Sequence, residues 1–181
     1  MSFWARAKVL LASMIFRQKV LNRWAHKRLP TKRLAAAVML FDQEGRLLVL
    51  ETTYREDWLV PGGIVERNES PWEGALREVQ EEIGIELDQL EFVGMDWRSS
   101  DDEYDDSLHF VFNGGALSPE QMSELRADGV EIADYRFVDR AEALDLLEPH
   151  LSRRIMACWD KLDSTACPLV LNRGVQDQRI V

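Results

Sequence analysis

Cysteine and histidine are scarce in this 181-residue chain, which has only Cys158, Cys167, His26, His109 and His150. Two cysteines late in the chain make no disulfide framework, and three scattered histidines make no Cys/His zinc site, so a reducing, cytoplasmic setting is expected. Long apolar runs are missing too. The longest, VLLASMIF at residues 9 to 16, is closed off by Lys8 and Arg17, whereas a membrane-spanning helix needs about 20 apolar residues. No small-residue cleavage site follows it, so a secretory signal is a poor match. A net positive charge is also lacking. The formal charge of -10 removes the excess of Lys and Arg that stable nucleic-acid binding requires.

What is present is an uneven distribution of charge on a chain that is 46% hydrophobic, enough for one sizeable core. Residues 1 to 33 carry Arg6, Lys8, Arg17, Lys19, Arg23, Lys27, Arg28, Lys32 and Arg33 with no Asp or Glu, leaving 13 basic against 32 acidic residues on the rest. Pro30 and the TKR after it mark a break. The chain therefore reads as a basic N-terminal helical arm, 1–33, followed by an acidic domain, 34–181. An amphipathic arm docked on its own domain or on a second subunit of a homodimer is the favoured reading. A membrane-surface helix and an Arg-rich organelle-targeting peptide are the alternatives.

Beyond the arm, LAAAVMLF (34 to 41) and RLLVLE (46 to 51) are strand-like and separated by the turn residues of DQEG, the pattern of a β-hairpin. WLV (58 to 60) runs into Pro61-Gly62-Gly63, which should end a strand and allow unusual backbone angles. LEFVGMDW, SLHFVFN and EIADYRFV are further strand candidates. Asp139 with Glu142 predicts a capped helix over RAEALDLL, followed by a helix near 149 to 162 and a strand near 168 to 171. No internal repeat interrupts this order.

Residues 62 to 84 concentrate six glutamates: Glu66, Glu69, Glu73, Glu78, Glu81 and Glu82. Ser70-Pro71-Trp72-Glu73 supplies an N-cap, a proline at the first helical position and a glutamate at N3, so a helix should start at residue 71. Gly84 is placed to end it. Trp72, Leu76, Val79 and Ile83 recur at helical spacing and predict a core stripe, with Glu78, Glu81 and Glu82 opposite. Glu78 and Glu82 repel each other at i,i+4 unless something positive intervenes. One reading is a solvated face laced by Glu73, Arg77 and Glu81. The other is a divalent cation, and clustered oxygens without His or Cys favour Mg2+ or Mn2+ over zinc.

Counted from Gly63, the residues read G-x5-E-x7-R-E-U-x-E-E-x-G-U with U aliphatic: Gly63, Glu69, Arg77, Glu78, Val79, Glu81, Glu82, Gly84 and Ile85. Every position matches the Nudix box, and the chain resembles the Nudix hydrolase superfamily over about residues 34 to 150. The resemblance implies an α/β fold of the α+β type, a mixed curved sheet sandwiched between helices, to which the basic arm is an addition. It also implies hydrolysis of a phosphoanhydride in a nucleoside diphosphate linked to another moiety, by water attack on phosphorus with Mg2+ or Mn2+. Carried over by position, Glu78 and Glu82 look like the principal metal ligands. Glu81 looks like a further ligand or base, and the Gly62 carbonyl like a backbone ligand. Arg77 would orient the carboxylates and Glu69 would brace the loop.

Outside the box, Glu131 and the acidic run Asp101, Asp102, Glu103, Asp105 and Asp106 compete as general base. Gly62, Gly63, Trp58 and Arg55 are the candidates for substrate contact, although a tryptophan placed like Trp58 more often belongs to a core. The expected partner is a small nucleoside diphosphate derivative such as a nucleotide sugar, ADP-ribose, a nucleoside triphosphate or a dinucleoside polyphosphate. Ser100 stands where the ADP-ribose-cleaving group has a proline. A non-catalytic Nudix-fold sensor is the rival reading, although such modules lose box carboxylates and none is missing here.

Overall fold

The computed structural model describes residues 31–100, 105–162 and 168–176. Residues 1–30 of the basic arm and Asp101, Asp102 and Glu103 lie outside the described residues, whereas Arg33, the last residue assigned to the arm, opens the first strand. Strands β1 (Arg33–Phe41), β2 (Leu47–Thr52) and β3 (Gly62–Ile64) precede helix α1 (Pro71–Ile83). Then come β4 (Glu91–Arg98), β5 (Ser107–Ala116), α2 (Pro119–Glu124), β6 (Ile132–Val138), α3 (Arg140–Leu146), α4 (Pro149–Leu162), β7 (Leu169–Asn172) and β8 (Val175–Gln176).

The strands form one sheet in the order β6-β2-β1-β5-β4-β7-β8, with β3 added to β1. It is mixed, because β1 runs parallel to β5 and β4 parallel to β7 while the remaining pairs are antiparallel. Both faces are covered. Val38, Leu40, Leu48 and Leu50 pack under α1 against Ala75, Val79 and Ile83, whereas the alternating Met39, Phe41, Leu47 and Val49 pack against Ile155, Cys158 and Trp159 of α4. Burial on both faces is why β1 and β2 read as continuous apolar runs rather than as alternating ones. Among the described residues no helix is long and apolar enough to cross a membrane.

The expected β1–β2 hairpin forms, yet it is open. Its strands pair only at Phe41 and Leu47, and the chain from Trp58 to Ile64 fills the fork. Leu50 and Leu59 exchange backbone hydrogen bonds of 2.8 and 2.9 Å, and Val38 N–H donates to the Pro61 carbonyl at 2.8 Å. Pro61-Gly62-Gly63 therefore does not end a strand: Gly62 and Gly63 belong to β3, opposite Ala37 and Ala36. Glycine is what permits this. Gly62 has φ +142°, and a Cβ on it would stand 2.2 Å from the Ala36 carbonyl oxygen.

The α1 caps form as the sequence predicts, with Ser70 and Glu73 bonding reciprocally and Gly84 left-handed at φ 73°. The core stripe of α1 is rotated from the expected one. Trp72 is 41% exposed, while Ala75 and Glu82 join Val79 and Ile83 on the buried side. The helix packs on its sheet-facing turns, and Trp72 stands in the first turn, before that contact begins. Asp139 caps α3, but the Glu142 side chain pairs with Arg136 at 3.5 Å. Helix α2 was not anticipated, although Ser118-Pro119-Glu120-Gln121 repeats the logic of the α1 cap and makes the same capping box.

Candidate active site

Arg77 organises the box. Its Nε donates to Glu69 Oε1 at 2.9 Å and its Nη2 to Glu69 Oε2 at 3.0 Å, a bidentate pair that ties the loop to α1. Nη1 donates to Glu78 Oε1 and Glu81 Oε2, both at 2.9 Å, and Nη2 also reaches the Ile64 carbonyl at 3.1 Å. Hydrogen bonding to Glu69 heads the causes that raise the Arg77 pKa, and the same bond heads those that hold Glu69 below the usual carboxylate range. Glu69 Oε2 also accepts the Glu66 N–H at 2.8 Å, closing the loop on itself.

Glu82 is placed differently. Only 8% exposed, it accepts the Gly62 N–H at 2.8 Å, so β3 and α1 meet at this carboxylate. Burial pushes its pKa up to about 8, with the charges of Glu78, Glu131 and Asp128 adding to the rise and the Gly62 hydrogen bond opposing it. Glu78 is raised as well, chiefly by burial, against the pull of Arg77. Gly63 leaves the space Glu78 occupies, because a Cβ there would lie 2.6 Å from Glu78 Oε1.

These groups line an open cavity of about 550 Å3. Glu66, Glu78, Glu81, Glu82, Asp128 and Glu131 are its carboxylates, and Arg77 is the one cation among its described lining residues. Glu131 thus reaches the box from the far end of the chain. Pairing of β2 with β6 brings it there, and its carbonyl accepts the Thr53 N–H at 2.9 Å. Asp128 was missed by sequence reasoning. Its Oδ1 accepts the N–H groups of Val130, Glu131 and Ile132 at 3.0, 3.1 and 2.8 Å, shaping the loop that presents Glu131. The Asp128-Gly129 turn pair was the available signal.

Four expected site residues fall elsewhere. Trp58 is 7% exposed in the core, with the Arg136 guanidinium 4.2 Å from its ring centroid. The strand fork that buries Val60 and half-buries Leu59 draws it inward. Arg55 lines a second cavity rather than the acidic one. Of the acidic run, Asp106 pairs with Lys32, and the Asp105 carbonyl accepts from Arg33; neither residue lines the acidic cavity.

The donor set suits a hard divalent cation, being carboxylate oxygen without His or Cys among the described lining residues, and among the described residues Glu82 has no cationic partner at its buried position. In the arrangement described, Arg77 takes Glu78 and Glu81 for itself. No three His, Cys, Asp or Glu side chains among the described residues converge on one point. Coordination would require the carboxylates of Glu78 and Glu81, each of which gives Arg77 one oxygen, to converge with that of Glu82.

The family model of the NUDIX domain matches residues 31–158. An RNA pyrophosphohydrolase of Hydrogenovibrio crunogenus is 32% identical over 66 residues, 35% of this chain and 40% of that protein. Diphosphoinositol polyphosphate phosphohydrolase 2 of Rattus norvegicus is 46% identical over 55 residues, 30% of this chain and 31% of that protein. The chain spans less than half the length of the curated relatives it matches. Among solved structures, the MutT protein from Methanosarcina mazei Go1 superposes with a TM-score of 0.61 at 23% identity, covering 76% of this chain and 99% of that one, which is a likeness of fold. With a family model matched from strand β1 into helix α4, across the sheet and the whole glutamate helix, the chain belongs to the Nudix family.

Proposed function

We propose that the chain is a divalent-cation-dependent hydrolase that cleaves a phosphoanhydride in a nucleoside diphosphate linked to another moiety. The observation that carries this reading is the setting of Glu82, a buried carboxylate fixed by the Gly62 N–H in a cavity with five other carboxylates and a single arginine. A diphosphate is itself an anion, so such a cavity repels it unless cations are present. Glu78, Glu81 and Glu82 would hold Mg2+ or Mn2+, which when bound supplies the positive charge that phosphoryl transfer requires. The names of the two relatives support the reaction class.

The rest of the chemistry falls to side chains of this chain. Glu131, an exposed residue that lines the cavity, is the proposed general base. It accepts a proton from water as the water oxygen bonds to phosphorus and the bridging P–O bond breaks. Glu81, 60% exposed at its side chain, is the other group able to accept that proton. Arg77 is a positioning residue, since its contacts are to carboxylates and to the Ile64 carbonyl. Gly62 and Gly63 bring the backbone of β3 to the cavity wall without side chains in the way.

The test is a Mg2+-dependent screen of nucleotide sugars, ADP-ribose, nucleoside triphosphates and dinucleoside polyphosphates, with release of mononucleotide or phosphate as readout. Turnover of at least one class that ceases in EDTA supports the proposal. Tight binding of a nucleotide sugar or ADP-ribose with no turnover of any class would instead make the chain a sensor.

A further inference from the structure

A second cavity, of about 540 Å3, adjoins the acidic one, and Ile64 lines both. Its charge is opposite. Among its described lining residues, Arg33, Arg55, Arg98 and Arg154 stand against two carboxylates, Asp57 and Glu148. Glu148 is engaged at the start of α4, where its Oε2 accepts the N–H groups of His150 and Leu151 at 3.0 and 2.8 Å. Arg154 is held by the fold: its Nε donates to Asp96 Oδ2 at 2.9 Å with the two side chains 6% and 1% exposed. Asp96 Oδ1 in turn accepts the Gly174 N–H at 3.0 Å. The cationic surplus registers on His109 in the same wall. Burial first, and then Arg154, Arg98 and Arg33, push its pKa down to about 3. In a chain of net charge -10, the positive charge has been gathered beside the cavity where it is most scarce.

We propose that this arginine cavity binds a second anionic group, a phosphate ester, carried by the same substrate whose diphosphate enters the acidic cavity. The assignment to the substrate rests on the hydrolase reading above. A phosphate beyond the scissile diphosphate would meet carboxylates in the acidic cavity and one arginine already bonded to Glu69, Glu78 and Glu81. One cavity away it meets planar guanidinium forks that match its oxygens in bidentate, charge-assisted bonds. Leu59, Ile64 and Leu151 form an apolar part of the same wall, suited to the uncharged portion that joins the two phosphate positions. The substrate class is therefore a diphosphate-bridged molecule bearing at least one further phosphate monoester.

Binding of inorganic tripolyphosphate and of adenosine to the full chain in EDTA tests the cavity without any metal, because the acidic cavity then repels anions. Tripolyphosphate should bind, more weakly as KCl is raised. Arg55→Gln, at an exposed position, and Arg98→Gln should each weaken it about tenfold or more, the loss expected for a hydrogen bond to a charged group. Arg67→Gln removes the same charge from an exposed position outside the cavity and should leave binding unchanged. Absence of tripolyphosphate binding overturns the proposal, as does native-strength binding in both cavity variants. Adenosine binding without a response to tripolyphosphate would make the cavity a base pocket and overturn it too. Mg2+-dependent turnover on the same samples separates the two readings. Arg-dependent binding with no turnover of any phosphoanhydride sinks the hydrolase and with it the substrate assignment, whereas turnover without metal-free tripolyphosphate binding sinks the arginine cavity alone.

Discussion

The two cavities that meet at Ile64 hold charge in opposite ways. In the arginine cavity the deepest charge, on Arg154, has its counter-charge built in, as Asp96 stands 2.9 Å away and accepts a backbone N–H besides. In the acidic cavity the deepest carboxylate, Glu82, has among the described residues a single backbone N–H and no cation, with burial first and then Glu78, Glu131 and Asp128 raising its pKa. The first is complete within the fold. The second is complete only with something positive added. A buried carboxylate therefore has two meanings, and the partner set distinguishes them.

Like-for-like substitutions sharpen that contrast. Asp96→Asn leaves Arg154 buried without a counter-charge and should destabilise the protein by about 3–5 kcal/mol in urea unfolding. Loss of less than about 1 kcal/mol would mean that the pair is dispensable and the contrast false. The same carboxylate-to-amide change at Glu82 keeps an acceptor for the Gly62 N–H, and in EDTA its effect on stability should be far smaller.

Next in size is the cap of the box helix. Ser70→Ala removes one arm of the capping box and should cost about 1 kcal/mol of stability, read as a lower thermal midpoint. Because Glu73 is bonded to Ser70 and not to Arg77, the turnover of each folded molecule should stay near native. A collapse of activity at unchanged stability would place the cap within the site.

The smallest effect at neutral pH belongs to His109, whose ring nitrogen lies 2.8 Å from Ser107 Oγ. Its folded pKa of about 3 lies below the ordinary 6.5. The unfolded chain therefore takes up a proton that the folded one refuses, and stability present above pH 6.5 is lost as pH falls from there toward 3. His109→Gln should flatten that limb of a stability-against-pH curve while leaving stability above pH 7 nearly unchanged. An acid limb of undiminished slope would show that neither burial nor the arginines hold the pKa of this residue down.

Legibility in the sequence followed the range of the contact. The α1 caps are local and legible in the sequence, as is the box spacing that sets Glu69, Glu78 and Glu81 around Arg77. The burial of Glu82 and the exposure of Trp72 depend on how α1 sits against the sheet, which helical periodicity alone leaves free by a fraction of a turn. Gly62 and Gly63 read as a break because their pairing partner, β1, is distant in sequence and already committed to a hairpin with β2. The arginine cavity was invisible for the same reason. Arg33, Arg98 and Arg154 lie on β1, β4 and α4, and only the strand order with β5 between β1 and β4 brings them to one wall.

The most direct test of the central claim is the Mg2+-dependent turnover of Glu82→Gln beside that of the native chain, with thermal midpoints of both in EDTA. A fall of at least about 100-fold in kcat, the upper range for loss even of a group that only supports a metal site, with little change in the metal-free midpoint is the predicted result. Native turnover in Glu82→Gln, at native Mg2+ dependence, would contradict the account.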